Sequence, residues 1–307
     1  MRIGIVGAGG IGGVLAMALG DTGDAPVLMA RGAHGAAIAA HGLVIETPDG
    51  AARQAAFPVL SPEEDDGRRC DLLIFAVKLY DTEGAARASR HLLAEDGLVV
   101  TLQNGVESEA LLSPIYGAGR VLPGAAWFNA WVAAPGRLTM ASERAFIQIA
   151  APDPESGPVA TLAERLRAGG VLVELATDGD RLIWHKFALL SAASAVCGLT
   201  RQPMGVCRED PDIRPLFRAC AAETGAVGRA LGVDLRADLE DWVMQRVDRN
   251  PADGKASQLI DLEQGKPLEL DWFSGAIRRL GRAHGVPTPV HDTVYAALKP
   301  YRRGAPA

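Results

Sequence analysis

The sequence predicts a two-domain α/β protein, with an N-terminal doubly wound Rossmann-type sheet and a C-terminal all-helical domain. Three observations support this prediction. The chain opens with a strand, a glycine turn and a helix; strand and helix patterns alternate through its first half; and strand patterns end near Asp178. Alternating strands and helices are typical of a parallel sheet that is covered on both faces. We therefore predict domains at residues 1–176 and 177–307.

The first predicted unit is the glycine-rich opening. Ile3–Val6 is a short apolar strand, and Gly7, Gly9 and Gly12 follow at the G-x-G-x-x-G spacing, with Gly10 among them. In this context the first glycine permits a sharp turn, the second lets the backbone approach a pyrophosphate, and the third lets helix and strand pack closely. The next helix offers its first N–H groups to phosphates. We predict a dinucleotide site; the alternative is a similar turn that binds nothing.

The remaining elements of the first domain are predicted from apolar runs and turn residues. Strands are expected at 26–30, 43–47, 71–77, 97–102, 137–140, 145–150 and 171–175, and helices at 81–93 and 158–168. The run at 71–77 is continuously apolar, as expected for a parallel strand buried on both faces. The segments 137–140 and 145–150 flank a polar turn, and this pattern predicts an antiparallel hairpin.

Helical patterns occupy the second predicted domain. Asp210-Pro211 resembles an N-cap followed by proline at the first helical position, which predicts a helix that continues to Leu231. Further helices are expected at 239–247, 256–263, 270–284 and 290–298. Glycines after several of these segments are typical helix stops.

Composition excludes several classes of protein. The net charge is −6 and no long basic run occurs, so nucleic-acid binding is not expected. The four cysteines lack C-x-x-C or zinc spacing, which predicts thiols in a reducing compartment and no metal site. Because a strand begins at residue 3 and no apolar run looks long enough to cross a bilayer, we expect neither a signal peptide nor a membrane span. A cytoplasmic protein is the resulting prediction.

The end of the second strand bears on the choice of nicotinamide cofactor. An NAD site usually has a carboxylate at this strand tip, whereas here the strand ends Met29-Ala30-Arg31. Arg31 can pair with a 2′-phosphate, so NADP is favoured over the alternative of a solvated arginine. Lys78 and Asn104 each follow a predicted parallel strand, at the edge where ligands bind in this fold. Asn104-Gly105 is equally well a simple turn dipeptide.

Together these motifs resemble the ketopantoate reductase family, the NADP-dependent 2-dehydropantoate 2-reductases. The resemblance covers nearly the whole chain. It rests on GAGGIG, FAVK, LQNGVE and LIWHKFA, and on the late stretch SQLIDLEQGKPLELDWFSGAIRRLGRAHGVPTP. The last two segments are the specific ones, because the glycine motif alone fits many families.

The resemblance implies a set of site residues. Lys186 would be the catalytic lysine, Asn104 would lie near the nicotinamide ribose and the substrate, Ser257 would bind the keto acid's carboxylate, and Glu269 would complete the polar site. The cofactor would be held by Gly7, Gly9, Gly10, Gly12, Arg31, Lys78 and Asn104. Chemistry supports the lysine independently, since a positioned ammonium can stabilise the oxyanion formed by hydride addition and then protonate it. Each of these side chains, taken alone, is equally compatible with a structural role.

Two positions depart from the family pattern. Family members with ketopantoate activity tend to carry asparagines one and two turns beyond the lysine, where this chain has Leu190 and Ser194. Residues four apart share a helix face, so both positions would lie beside Lys186 and contact the substrate. Leucine removes a hydrogen-bonding group, so we expect a substrate without pantoate's terminal hydroxyl, such as a branched 2-keto acid.

These observations predict NADPH-dependent reduction of a 2-keto acid to a 2-hydroxy acid, ketopantoate or a related branched acid. By analogy with two-domain dehydrogenases, the substrate would enter between the two domains. One alternative is a non-catalytic NADP(H)-binding redox sensor or scaffold, and another is a dehydrogenase of amino or imino acids. Apolar faces in the helical domain would permit a homodimer without requiring one.

Overall fold

The computed structural model describes residues 1–23 and 25–305. The chain separates into two compact units. The first unit contains residues 1–104 and 108–182, and the helical unit contains residues 105–107 and the chain from Ile183 onward. Residues 1–176 and 177–307 remain the proposed domains.

The first unit contains strands β1–β12 and helices α1–α5. The strands are β1 (Ile3–Val6), β2 (Val27–Met29), β3 (Leu43–Glu46), β4 (Ala52–Ala55), β5 (Val59–Leu60), β6 (Cys70–Phe75), β7 (Leu93–Thr101), β8 (Val121–Ala126), β9 (Ala130–Ala134), β10 (Arg137–Met140), β11 (Phe146–Ala150) and β12 (Leu172–Ala176). The helices are α1 (Gly10–Gly20), α2 (Gly32–His41), α3 (Thr82–Ser89), α4 (Ser108–Tyr116) and α5 (Gly157–Ala168). Short 3₁₀ turns at Leu79–Asp81 and Arg90–Leu92 flank α3.

Within the described ranges the strands form an eight-stranded and a four-stranded sheet. The larger sheet has the order β12-β11-β8-β7-β6-β1-β2-β5. It is parallel from β5 to β8, β11 runs antiparallel to β8, and β12 runs parallel to β11. From β1 the chain builds outward first through β2 and then, on the other side, through β6, so the strand order reverses beside β1. This arrangement confirms the predicted Rossmann-type sheet.

The predicted hairpin of residues 137–140 and 145–150 is wrong. Both strands form, but β10 lies in the four-stranded sheet (order β4-β3-β10-β9), where it pairs antiparallel with β9 and parallel with β3. In contrast, β11 pairs with β8 and β12 of the larger sheet. Their partners β8 and β9 escaped prediction because VLPGAA and AWVAA are rich in residues with weak strand preference.

Helix α1 is buried along nearly its whole length because it contacts both sheets of the first unit. It packs against β1 of the larger sheet and against β3, β9 and β10 of the smaller one. Its residues from Gly12 to Leu19 are all buried, and Leu15 and Leu19 are fully enclosed. A helix that is apolar on every side is typical of such a doubly covered position. The helix that follows the glycine turn is therefore held firmly.

The helical unit is built from α6, whose first four residues group with the first unit, and from α7 to α12, and it lacks strands among its described residues. The helices are α6 (Gly179–Thr200), α7 (Met204–Glu209), α8 (Arg214–Ala230), α9 (Leu239–Arg249), α10 (Ser257–Glu263), α11 (Ser274–Ala283) and α12 (Pro289–Leu298), followed by a 3₁₀ turn at Lys299–Tyr301. The predicted all-helical character is confirmed, whereas α7 was missed.

The helix predicted to start at Asp210-Pro211 begins later than expected. The Asp210 carboxylate accepts hydrogen bonds from the backbone N–H groups of Asp212 and Ile213, at 2.9 and 3.0 Å. These bonds close a turn, and regular α8 starts only at Arg214. The aspartate therefore stabilises the turn that leads into the helix, with Pro215 in its first turn.

Helix α6 corrects the expectation that no apolar run could span a bilayer. Among the described residues, it is the one helix of sufficient length and hydropathy, with 22 residues and a mean hydropathy of 1.5. However, 72% of its most apolar window is buried inside the protein. Phe187, Ala192 and Val196 belong to the core of the helical unit. These contacts are those of a core helix.

A buried histidine joins three helices of the helical unit. The His291 ring donates from Nε2 to the carbonyl of Cys220 at 3.2 Å, and Nδ1 lies 3.1 Å from the Ser274 hydroxyl. Nearby, the Glu223 carboxylate accepts the backbone N–H groups of Val290 and His291, which caps the start of α12. Burial lowers the pKa of His291 from 6.5 to about 4. The imidazole is therefore neutral in the folded protein near neutral pH.

This burial predicts loss of stability in mild acid. The unfolded chain takes up a proton at His291 near pH 6.5, whereas the folded protein does so only near pH 4. The free energy of unfolding should therefore fall by roughly 3 kcal/mol from this group as the pH drops through that window. Urea unfolding at several pH values measures the slope, and His291→Gln is the control. An identical pH slope in the variant would contradict the prediction.

Candidate active site

The glycine turn after β1 has three distinct local environments. Gly7 has a φ of +98°, a left-handed conformation that side chains rarely adopt, and its N–H donates to the carbonyl of Met29 at 3.0 Å. A Cβ on Gly12 would lie 2.0 Å from the Gly7 carbonyl oxygen. By contrast, a Cβ built on Gly9 would have no heavy atom of the described residues within 4 Å, apart from its own chain neighbours. The first glycine thus makes the turn, the third allows close packing, and the second leaves open space.

The open space at Gly9 fits the phosphates of a dinucleotide. Gly9 is the N-cap of α1, and none of the described side chains caps this helix end. Its first N–H groups and the helix dipole favour an anion at this position. A methyl group at Gly9 would occupy the space that a close-lying pyrophosphate requires. The residues present are therefore compatible with a dinucleotide.

Gly10 packs against the second sheet. A Cβ on Gly10 would lie 1.9 Å from the Ala130 carbonyl oxygen in β9, so only glycine permits this approach. His34 supports the same region, because its Nε2 lies 2.8 Å from the carbonyl of Ala8 while its Nδ1 accepts the N–H of Gly136 at 3.0 Å. His34 was missed from the sequence, since its partners are separated from it by 26 and 102 positions.

Arg31 lies at the tip of β2, where the sequence predicted it, and it has an acidic partner that the sequence did not reveal. Its Nη2 is 2.5 Å from Oδ2 of Asp81. The Arg31 side chain is 70% exposed and that of Asp81 is 27% exposed. The hydrogen bond and the negative charge of Asp81 raise the pKa of Arg31, so the guanidinium remains charged. A carboxylate thus lies beside the cation proposed for a 2′-phosphate.

Gln103 organises the strand ends that carry Lys78 and Asn104. Its amide nitrogen donates to the carbonyl of Val77 at 3.0 Å and to the hydroxyl of Thr82 at 2.7 Å. These bonds join the loop after β7 to the loop after β6, and they satisfy the amide of a buried side chain. Lys78 and Asn104 follow directly and are both half-buried. Gln103 was also missed, although the side chain lies within the LQNGVE motif.

Glu107, the last residue of the same motif, belongs to the helical unit and contacts α11. Both carboxylate oxygens of Glu107 accept from Nη2 of Arg279 in α11, at 2.9 and 2.7 Å. Nη1 of Arg279 donates to the carbonyl of Asp271 at 3.0 Å. This charge-assisted contact explains why residues 105–107 group with the helical unit although they lie far from it in sequence.

Lys186 and Glu269 are the buried charged pair of the candidate site. Helix α6 carries Lys186, which is 5% exposed, and the turn before α11 carries Glu269, which is 6% exposed. Burial lowers the pKa of Lys186 from 10.5 to about 7, although the charge of Glu269 acts in the opposite direction. An amine in this range exchanges protons readily near neutral pH, which is what a general acid requires. The structure therefore brings these two predicted residues into one charge interaction.

The remaining predicted residues have different surroundings. Leu190 is half-buried one turn beyond Lys186, and its side chain packs against the core of the helical unit. Ser194 is buried, and its carbonyl accepts from Nε2 of Gln258 at 3.2 Å. Ser257, the first residue of α10, is exposed. Leu190 and Ser194 thus continue the helix face that carries the lysine.

Metal chemistry has no evident ligand set in the described residues. No group of three or more His, Cys, Asp or Glu side chains in these ranges is arranged to hold an ion. The four cysteines are all buried thiols. The candidate site therefore relies on the lysine, the carboxylates and the amides described above for its chemistry.

The Rossmann-type sheet, its glycine turn and the buried lysine–glutamate pair define the class as a two-domain oxidoreductase. The family model described as "Ketopantoate reductase PanE/ApbA" matches residues 3–153, and the model of the corresponding C-terminal region matches residues 178–302. The chain belongs to the ketopantoate reductase family. The sequence resemblance is thereby confirmed.

Named relatives support the same assignment over nearly the full chain. A 2-dehydropantoate 2-reductase of Mycobacterium tuberculosis (strain CDC 1551 / Oshkosh) is 31% identical over 303 residues, covering 96% of each chain. The enzyme of Mesorhizobium japonicum is 30% identical over 322 residues, covering 97% of each chain. The structure of a PanE/ApbA family ketopantoate reductase from Ralstonia eutropha JMP134 is 31% identical to this chain and superposes with a TM-score of 0.88, covering 98% of each chain.

The fold also extends to a relative with another name. The structure of a D-mandelate dehydrogenase with NADH and anilino(oxo)acetate superposes with a TM-score of 0.91 at 20% identity, covering 98% of each chain. At this identity the similarity establishes the shared fold alone. Substrate and cofactor choice must therefore be argued from this chain's own residues.

Because Gly9 and Gly12 have different surroundings, the same substitution should affect dinucleotide binding at one position and stability at the other. Gly9→Ala should retain stability, because its Cβ enters open space at an ordinary φ of −72°, but should weaken dinucleotide binding on the order of tenfold. Gly12→Ala should lower the free energy of unfolding by about 1–3 kcal/mol, because its Cβ collides with backbone. Urea unfolding and fluorescence titration with reduced dinucleotides measure both. Equal stability losses in the two variants would contradict the assignment.

Proposed function

We propose that this protein reduces a 2-keto acid to a 2-hydroxy acid with NADPH, in a reaction of the 2-dehydropantoate 2-reductase type. The observation that carries the proposal is the buried Lys186 amine, with a pKa of about 7, in charge interaction with Glu269. The relatives' names support the same reaction class. The glycine turn and its open Gly9 position support the dinucleotide.

The reduced nicotinamide, when bound, supplies the hydride that adds to the keto carbon. Hydride addition places negative charge on the keto oxygen, and the Lys186 ammonium stabilises this charge and donates the proton. The amine then regains a proton from solvent. Glu269 keeps a fraction of Lys186 protonated despite burial, because its negative charge favours the ammonium. In this proposal Asn104 orients the ribose and the substrate, and Ser257 binds the substrate carboxylate.

The choice of NADPH rests on the tip of β2. Arg31 occupies this position, and a guanidinium binds a 2′-phosphate through parallel hydrogen bonds. Lys78 follows β6, which is separated from β2 by β1, and adds a second cation at the same edge of the sheet. Gly7, Gly9, Gly10 and Gly12 complete the proposed cofactor set. Binding of 2′,5′-ADP but not 5′-ADP in calorimetric titration would support this choice.

The proposed substrate is a branched 2-keto acid with an apolar side chain. Leu190 presents a hydrocarbon surface one turn from Lys186, where an amide would otherwise bind a hydroxyl group. A substrate hydroxyl left unpaired there would lose roughly 1–3 kcal/mol of binding energy. Ketoisovalerate lacks this hydroxyl, whereas ketopantoate carries it, so the two substrates distinguish the alternatives.

Two other functions remain as alternatives to the proposal. A non-catalytic NADP(H)-binding sensor or scaffold would bind the cofactor without consuming it, and a dehydrogenase of amino or imino acids would prefer the corresponding amine. Following the absorbance of NADPH with a panel of 2-keto acids, with and without ammonia, separates all three. A cytoplasmic location and a homodimer stay predictions, the latter accessible to light scattering.

Removal of the Lys186 amine should abolish most of the catalysis. Lys186→Ala should reduce kcat by about 10²–10⁴-fold while the NADPH dissociation constant changes little, because the amine serves the proton transfer. Stopped-flow turnover and equilibrium fluorescence measure the two quantities. Lys255→Ala is the matched control, since that lysine forms an exposed ion pair with Glu263 at 2.8 Å in the same unit. Near-normal turnover of Lys186→Ala would refute the assigned role.

The depressed pKa of Lys186 also predicts a pH dependence. Reduction needs the protonated amine, so kcat/KM should be high below pH 7 and fall as the pH rises through the pKa of about 7. This parameter reports the free enzyme and is therefore comparable with the structure. A kcat/KM that rises through this range would be incompatible with a lysine acid.

The apolar residue at position 190 predicts substrate preference. The wild-type protein should favour ketoisovalerate over ketopantoate, and Leu190→Asn should shift the ratio of kcat/KM values toward ketopantoate by about 5- to 100-fold. Steady-state kinetics with both acids measure the ratio. Leu190→Met is the volume-matched control, expected to leave the preference unchanged. A strong wild-type preference for ketopantoate would defeat this hypothesis.

A further inference from the structure

The ion pair between Arg31 and Asp81 joins two loops of the first unit across 50 positions of sequence. Arg31 ends the β2 loop and is the N-cap of α2, whereas Asp81 lies in the 3₁₀ turn that precedes α3. The contact is short, at 2.5 Å, and the carboxylate is the less exposed of the two groups. The Arg31 guanidinium thus already has an anionic partner, the Asp81 carboxylate, within its own protein.

A 2′-phosphate and the Asp81 carboxylate require the same cation. A phosphate that forms hydrogen bonds with the Arg31 guanidinium would lie within a few ångströms of a carboxylate on that guanidinium, and like charges at this separation repel. Arg31 and Asp81 together carry no net charge, so the pair attracts a phosphate less than Arg31 alone would. The ribose of NADH, in contrast, carries a 2′-hydroxyl, which donates a hydrogen bond to a carboxylate in many dinucleotide sites.

We propose that Asp81 is a specificity-determining residue, which competes with the 2′-phosphate for Arg31 and narrows the preference for NADPH over NADH. The inference rests on the proposed function in one respect, since it takes Arg31 as the ligand of the 2′-phosphate. Asp81, three residues after Lys78, would thus determine how strongly NADPH is preferred over NADH.

The same helix start provides a matched control. Glu83 lies two residues after Asp81 and carries the same charge, but it pairs with Arg87 one turn along α3 at 2.7 Å. The side chains of Arg87 and Glu83 are 68% and 70% exposed. Glu83→Gln therefore removes one negative charge from the same region and leaves the Arg31 pair intact. Any effect of overall charge will appear in both variants, whereas competition for Arg31 will appear only in Asp81→Asn.

The experiment measures the dissociation constants of NADPH and NADH by fluorescence for wild type, Asp81→Asn, Glu83→Gln and Arg31→Ala, each first shown to melt as a folded protein. Asp81→Asn should raise the ratio of the NADH constant to the NADPH constant about fivefold at low ionic strength, and added salt should reduce the gain. Glu83→Gln should leave the ratio unchanged. Arg31→Ala should abolish most of the discrimination, and adding Asp81→Asn to it should not restore the discrimination.

Binding constants separate this inference from the reaction itself. An unchanged ratio in Asp81→Asn, or an equal gain for both cofactors, overturns the competition. An equal shift in Glu83→Gln overturns it as well, because the effect is then one of overall charge. If the ratio shifts as expected but no 2-keto acid is reduced, the specificity role stands and only the proposed reaction fails. Absence of dinucleotide binding by the wild type overturns both.

Discussion

Burial of the Lys186 ammonium beside Glu269 is the interaction on which the proposed chemistry depends. Taking an amine out of water disfavours its charged form, and the buried carboxylate partly offsets this effect. The balance places the pKa of Lys186 at about 7 rather than at 10.5. Lowering the pKa makes the Lys186 ammonium a stronger acid toward an oxygen that gains negative charge, while a pKa of about 7 still leaves part of the amine protonated near neutral pH. The surrounding apolar helices therefore contribute to the acidity of Lys186, because they exclude the water that would restore its ordinary pKa.

The proposed cofactor site depends on close backbone approach rather than on buried charge. Gly7 bends the chain, Gly12 lets α1 touch that bend, and Gly9 leaves room in front of the helix. At the tip of β2 the main interaction is electrostatic, since the charges of Arg31 and Asp81 nearly neutralise each other at an exposed position. Exposed pairs of this kind contribute little to stability. In the proposed cofactor site, the effect of this pair is instead on which ligand the Arg31 guanidinium prefers.

The sequence predicted those parts of the fold that depend on local pattern. The strand–turn–helix opening, the apolar run that became β6, and most of the helices after Asp178 follow from periodicity and glycine spacing within a few residues. Pairing between distant segments could not be predicted in this way, so β10 and β11 were joined in a hairpin although they lie in different sheets. The same limit applies to the site. Arg31, Lys78 and Lys186 were singled out by position after strands or by family motif, but Asp81, Gln103 and His34 act through partners 21 to 102 positions away.

The contact between Gly10 and the carbonyl of Ala130 has a consequence for biosynthesis. The N-terminal end of α1 rests against a strand that is encoded more than a hundred codons later, and β9 is itself held by β10, which ends at Met140. A nascent chain can form the opening hairpin of strand and helix early, yet the surface that supports this helix is missing until residue 140 has left the ribosome. Fragments that stop before β9 should therefore expose the residues of α1 that otherwise contact β9 and β10. The glycine turn before α1 therefore acquires this part of its support only after the residues of β9 and β10 have been synthesised.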